Sequence, residues 1–266
     1  MNLDGCSALI TGASSGIGRE LASQLAGRAR NLVLIARRHE RLEQLREELS
    51  VRHPESVIHT RRVDLTDRHQ IEDLVRWLEQ EKVAIDFLVN NAGVGDLGPF
   101  ATSDPERNWQ ILLVNMAALT ALTREFLPQM IARKRGAILN VSSSAGFIPI
   151  PGFAVYAATK AYVNSFSEAL RAELGCKGIT VTALCPGPVE TEFTSVAHRA
   201  GSEGEKSGPG FVRVPVAKVA RNAIAAVEHD RPIYIPGAMI KIAMALARAT
   251  PMPVLRLVAR ITAKSG

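Results

Sequence analysis

Short apolar runs alternate along this chain with longer segments whose apolar residues recur every three or four positions. The runs at 31–36, 56–63, 85–89, 137–141, 179–185 and 232–235 are too short for helices and predict strands, as does the apolar stretch opening at Cys6. The longer segments predict helices over 16–29, 40–51, 67–81, 105–131, 153–174 and 216–228. Strands alternating with helices of ten or more residues form βαβ units, and right-handed crossovers lay these out as a parallel sheet covered on both faces.

In such sheets ligands bind beyond the carboxyl ends of the strands. The first strand runs into a glycine-rich turn in which Gly12, Gly16 and Gly18 lack a Cβ, so backbone N–H groups can approach a diphosphate at a helix N-terminus. The spacing is Gly-x-x-x-Gly-x-Gly rather than Gly-x-Gly-x-x-Gly, so this turn alone is a moderate signal for a nucleotide. With it, the expected fold class is α/β: a single Rossmann-like doubly wound parallel sheet of about seven strands with helices on both faces. Residues 1–236 hold it, and 237–266 form a helical tail. The glycine turn, Asp64, Asn90, Ser143 and Pro186 all follow strands and therefore share one rim.

Other residues on that rim carry chemistry. The second strand ends Ala36-Arg37-Arg38, with no carboxylate for a ribose 2′-hydroxyl; the planar fork of Arg37 suits a 2′-phosphate, which predicts NADP rather than NAD, unless both arginines merely open a solvated helix. Tyr156 and Lys160 stand at i, i+4 on one helix, and a neighbouring ammonium is expected to lower the phenol's pKa toward useful general acid/base work. Ser142, Ser143 and Ser144 follow a strand and offer a hydroxyl to a substrate oxygen, or simply form a turn. Gly12-Ala13-Ser14-Ser15-Gly16 also fits the Gly-x-Ser-x-Gly elbow of hydrolases, but on the first strand it leaves almost no chain to build the sheet before it.

Composition narrows the picture further. Three cysteines without CxxC spacing and six scattered histidines predict neither a disulfide framework nor a metal site, and a reducing cytoplasm fits them. No basic segment precedes a long apolar run at the N-terminus, so no secretory signal is expected. The net charge of +6 belongs to the tail: from Arg231 onward there are basic residues and no Asp or Glu, while the rest of the chain is balanced. With 5% aromatic residues and no dense basic patch, nucleic acid is not an expected partner. Pro251 and Pro253 divide the tail into two short apolar helices, and Arg256, Arg260 and Lys264 recur at i, i+4, i+8 opposite an apolar face. That pattern suits an anionic membrane surface, or a helix packed over the substrate site or another subunit. Residues 198–210, rich in Gly, Ser and charge, suit a lid or a tolerated surface insertion.

Thr11-Gly-Ala-Ser-Ser-Gly-Ile-Gly18, Asn90-Asn91-Ala92-Gly93, Asn115, Ser143 thirteen residues before Tyr156, Tyr156-Ala-Ala-Thr-Lys160, and Pro186-Gly187 with Thr191 occur in that order. Together they resemble the short-chain dehydrogenase/reductases over residues 3–236. The resemblance implies a hydride transfer between NADP(H) and a carbonyl or secondary alcohol. Tyr156 would move the proton, Lys160 would lower its pKa, Ser143 would hold the substrate oxygen and Asn115 would support a water-linked relay. Gly12, Ser14, Ser15, Gly16, Ile17, Gly18, Arg37, Arg38, Asp64, Leu65, Asn90, Asn91, Ala92, Gly93, Tyr156, Lys160, Pro186, Gly187, Val189 and Thr191 would meet the cofactor. It also implies a homodimer or homotetramer paired through helices 105–131 and 153–174. Apolar residues near the expected site, including Phe147, Phe153 and Phe193, predict a lipophilic substrate. The competing reading is an NADPH-binding sensor or scaffold without turnover.

Overall fold

The computed structural model describes residues 1–199 and 214–264. Seven parallel strands, β1 (Ser7–Thr11), β2 (Asn31–Ala36), β3 (Val57–Arg62), β4 (Phe87–Asn90), β5 (Gly136–Val141), β6 (Ile179–Leu184) and β7 (Ile233–Tyr234), form one sheet in the order β3-β2-β1-β4-β5-β6-β7. The order reverses between β1 and β4, and the crevice opens at that switch point.

Both faces of the sheet are apolar, which is why its strands read as continuous apolar runs. Ala8, Ile10, Leu32, Leu34, Phe87, Val89 and Leu139 point to one side, where α1 (Gly16–Ala26), α2 (His39–Arg52) and α8 (Val216–Glu228) cover them. Leu9, Val33, Ile35, Leu88, Ile138 and Val181 point to the other and meet α3 (Arg68–Gln80), α5 (Leu119–Ala132) and α6 (Ala154–Leu174). Neighbouring residues serve opposite layers because strand side chains alternate.

The long helix expected over 105–131 is three pieces: α4 (Pro105–Leu112), a π-helical turn (Leu113–Ala118) and α5. Pro105–Ala132 is long and apolar enough to match a membrane span, yet Leu122, Phe126 and Met130 are buried against the sheet. A short helix absent from the sequence expectation, α7 (Glu192–Ala197), follows β6, with Thr191 capping it by accepting from the Phe193 amide. The tail divides at Thr250 into α9 (Ala238–Ala249) and α10 (Met252–Lys264), so Pro253 lies in the first turn of α10 rather than at the break. Residues 200–210 of the expected lid lie outside the described residues.

Candidate active site

The glycine turn is held by a staple between the ends of β1 and β4. The Thr11 hydroxyl accepts from the Asn91 and Ala92 amides, and Asn91 Nδ2 donates back to the Thr11 and Gly12 carbonyls. The fit requires glycine at two positions. Gly12 has φ +66° and a Cβ there would lie 2.9 Å from Ala92 Cα, while a Cβ on Gly18 would lie 2.4 Å from Asn91 Nδ2 and 2.5 Å from the Gly12 carbonyl oxygen.

Above this turn opens a cavity of about 520 Å³ that runs from the end of β2 to α6. Gly12, Ser14, Ser15, Gly16, Ile17, Arg37, Arg38, Asp64, Leu65, Asn91, Ala92, Gly93, Ser143, Phe153, Tyr156, Lys160, Pro186, Gly187, Val189, Thr191 and Phe193 all line it. Four expected site residues do not. Gly18 lies beneath the Asn91 side chain. Asn90 is turned into the core, where its Nδ2 donates to Thr123 and Asn140, because strand alternation gives the rim to Asn91 instead. Phe147 is covered by the Arg248 guanidinium of α9, 5.7 Å from its ring. Asn115 stands behind the wall, in the π-helical turn.

Asn115 is fully committed there. Its Oδ1 accepts from the Val94 amide, and its Nδ2 donates to the Val94 carbonyl and the Thr159 hydroxyl. The π-helical turn breaks the regular α-helical hydrogen-bond pattern around this side chain, a local irregularity often found at functional sites. Asn115 thus ties the loop after β4 to α6, one residue from Lys160.

Lys160 is buried and its Nζ donates to the Val141 carbonyl at 2.8 Å, 5.5 Å from the centre of the Tyr156 ring. The Ser142 hydroxyl donates to the Lys160 carbonyl, fixing the same turn of α6 to the end of β5. Tyr156 stacks on Phe153, with ring centres 4.3 Å apart, and meets Phe193 at 5.2 Å. Burial pushes its phenol up to about 12, and a hydrogen bond with Ser143 pulls the other way. The same burial pushes the Lys160 ammonium down to about 8. The expected net lowering of the phenol is therefore corrected: desolvation outweighs any help from the ammonium, which also donates to a backbone carbonyl, and the phenol ends above its ordinary value.

At the far end of the cavity the charges are exposed. Arg37 has no hydrogen bond or ion pair among the described residues. Arg38 donates to the Ser14 and Ser15 hydroxyls and pairs with Glu192 at 2.7 Å, and Arg41 pairs with the same carboxylate at 2.7 Å. Sequence reasoning missed Glu192 and Arg41, because nothing local to β2 or α2 signals a carboxylate arriving from the other side of the rim. Asp64 reaches the cavity while its carboxylate closes a turn by accepting from the Thr66 amide and hydroxyl.

A glycine turn at the switch point of a parallel sheet, opening into one long cleft with a guanidinium at its lip, defines the dinucleotide-binding class of α/β proteins. The family model for short chain dehydrogenase matches residues 7–200, and the chain belongs to the short-chain dehydrogenase/reductase family. It is 39% identical over 206 residues to the NADP-dependent 3-hydroxy acid dehydrogenase YdfG of Salmonella typhi, covering 76% of this chain and 80% of that protein. It is 38% identical over 193 residues to the short chain dehydrogenase MYCFIDRAFT_6125 of Pseudocercospora fijiensis, where the match spans 72% of this chain and 62% of that longer protein. Among solved structures, a short-chain dehydrogenase from Sphingobium yanoikuyae in complex with NADPH superposes with a TM-score of 0.79 at 30% identity, covering 92% of this chain and 94% of that one.

Proposed function

We propose that this chain is an NADP(H)-dependent oxidoreductase that interconverts a lipophilic carbonyl compound and its secondary alcohol, with Tyr156 as the general acid/base. One observation carries the reading: the Tyr156–Ser143 pair and Lys160 line the same cavity as the glycine turn and Arg37. The cofactor is NADP(H), which supplies or accepts the hydride when bound. With it bound, Gly12 and Gly16 would let the turn approach its diphosphate, and Arg37 would meet its 2′-phosphate.

In the reducing direction the Ser143 and Tyr156 hydroxyls hold the carbonyl oxygen. Tyr156 releases its proton to that oxygen as the carbon accepts a hydride, so one hydride, with its two electrons, and one proton make the alcohol. A phenol kept protonated by burial suits a donor, and the adjacent Lys160 charge stabilises the phenolate left behind. Asn115 positions this machinery by joining the Val94 loop to Thr159. Oxidation reverses each step.

A lipophilic substrate follows from the wall beside Tyr156. Val94, Leu97, Ile150, Phe153, Phe193 and Val196 form it; apart from Lys160, the lysines and arginines that line the cavity among the described residues are Arg37 and Arg38, which stand at its far end. The test is NADPH and NADH consumption by wild type and Tyr156→Phe against ketones and aldehydes graded by chain length. Tyr156-dependent turnover that favours NADPH and rises with chain length is expected. NADPH binding with no turnover on any of them would support the sensor reading instead.

Two associations complete the proposal. Trp109 on α4 is exposed, and α6 presents Ala158, Ala161, Ser165 and Ala169 to solvent, which suits pairing of two copies through these helices. The tail packs on the catalytic domain through Ile240 against Gly187, while Met239, Ile242 and Leu246 form an outer stripe at i, i+3, i+7. Leu257 continues the exposed apolar residues on α10, beside Arg260, and this suits peripheral contact of a cytoplasmic enzyme with anionic lipid. Light scattering measures the first. Co-sedimentation of wild type and Ile242→Glu/Leu246→Glu with anionic vesicles measures the second, with loss of binding in the variant expected.

A further inference from the structure

The end of β2 carries no carboxylate of its own, but the fold delivers one. Glu192 is the first residue of α7, more than 150 residues from Arg38 in sequence, and it crosses the rim to the cation cluster. Its Oε2 lies 2.7 Å from Arg38 Nη1, and its two oxygens lie 2.7 and 2.8 Å from Arg41 Nη1. The remaining donors of Arg38 are spent on the glycine turn, where Nε and Nη2 reach Ser14 and Nη2 reaches Ser15. Of the three guanidiniums, only Arg37 keeps its donors unused among the described residues.

We infer that Glu192 sets cofactor specificity by competing with a nucleotide 2′-phosphate for Arg38 and Arg41. The inference rests on the NADP(H) reading and goes beyond it. A phosphate and a carboxylate are both anions that want the planar donors of a guanidinium, and two anions on one fork repel. Binding of the phosphorylated cofactor therefore displaces Glu192, while a 2′-hydroxyl leaves the pair intact. Three guanidiniums against one carboxylate keep the cluster cationic, so the 2′-phosphate still gains on balance. Glu192 thus lowers the affinity for NADP(H) without touching that for NAD(H), and narrows the discrimination between them. Because these side chains stand in solvent, the penalty is about three- to tenfold in affinity.

The experiment measures dissociation constants of NADPH, NADH and adenosine 2′,5′-bisphosphate for the full-length wild type and Glu192→Gln, at low and high ionic strength. NADPH and the bisphosphate should bind Glu192→Gln about three- to tenfold more tightly, NADH equally well, with the gain shrinking in salt. In an Arg38→Ala/Arg41→Ala background the substitution should have no effect. Unchanged or weaker NADPH binding by Glu192→Gln, an equal gain for NADH, or a gain that survives removal of both arginines overturns the inference. If wild type prefers NADPH and binds the bisphosphate while Glu192→Gln changes nothing, the inference fails alone. If both proteins ignore the 2′-phosphate, the NADP(H) reading falls with it.

Discussion

The two ends of the cleft handle charge in opposite ways. At the β2 end Arg38, Arg41 and Glu192 are each more than 40% exposed, and the two arginines hold the Glu192 carboxylate below its usual range. At the α6 end Tyr156, Lys160 and Asn115 are each under a tenth exposed, and burial moves the phenol and the ammonium toward their neutral forms. Water screens the first group, so its contacts are exchangeable and individually weak. The second group is buried, and Lys160, Asn115 and Ser142 are each anchored to backbone. An exposed end suits a cofactor that must come and go, and a buried end suits proton transfer.

The contrast is steepest in what each end costs when altered. Tyr156→Phe should lower kcat by about 10²- to 10⁴-fold while leaving NADPH affinity nearly unchanged, measured by turnover and by nucleotide fluorescence. At the same end, Lys160 couples stability to pH. Its folded pKa of about 8 lies below the ordinary 10.5, so between these values the unfolded chain binds more protons and stability rises with pH. Urea unfolding of wild type should therefore gain about 3 kcal/mol across that window relative to Lys160→Met. Tyr156 acts in the opposite sense and higher up: its folded pKa of about 12 exceeds the ordinary 10.0, so stability falls as pH rises from 10 toward 12. A flat difference between wild type and Lys160→Met would mean the ammonium is better solvated than its burial indicates.

Smaller effects are expected toward the exposed end. Gly18→Ala forces a Cβ against the Gly12 carbonyl and Asn91, and should cost about 1–3 kcal/mol in urea unfolding while loosening the turn under the diphosphate. Arg37→Ala should weaken NADPH about three- to tenfold and spare NADH, with the difference vanishing at high salt. A salt-independent loss would show that Arg37 acts through packing and not through charge.

Much of this protein is local in origin. The alternation of apolar runs and helical periodicity located every strand to within a residue or two, because a sheet buried on both faces leaves its apolar signature in each strand separately. The glycine turn, the β2 terminus and the Tyr156–Lys160 spacing were legible for the same reason: each is complete within a few residues. The lost features depend on distance or surroundings. Six-residue α7 is too short to show a period, and the π-helical turn at 113–118 hides inside a helical pattern that continues on either side. That Asn91 and not Asn90 faces the turn depends on strand orientation, and Phe147 leaves the cavity because α9 folds over it. Packing also reversed the expected pKa argument, since spacing shows that an ammonium is near a phenol but not that both are out of water. The Glu192 carboxylate among the arginines is the furthest of these from the one-dimensional pattern: partners 154 residues apart meet only because parallel strands bring all their carboxyl ends to one rim.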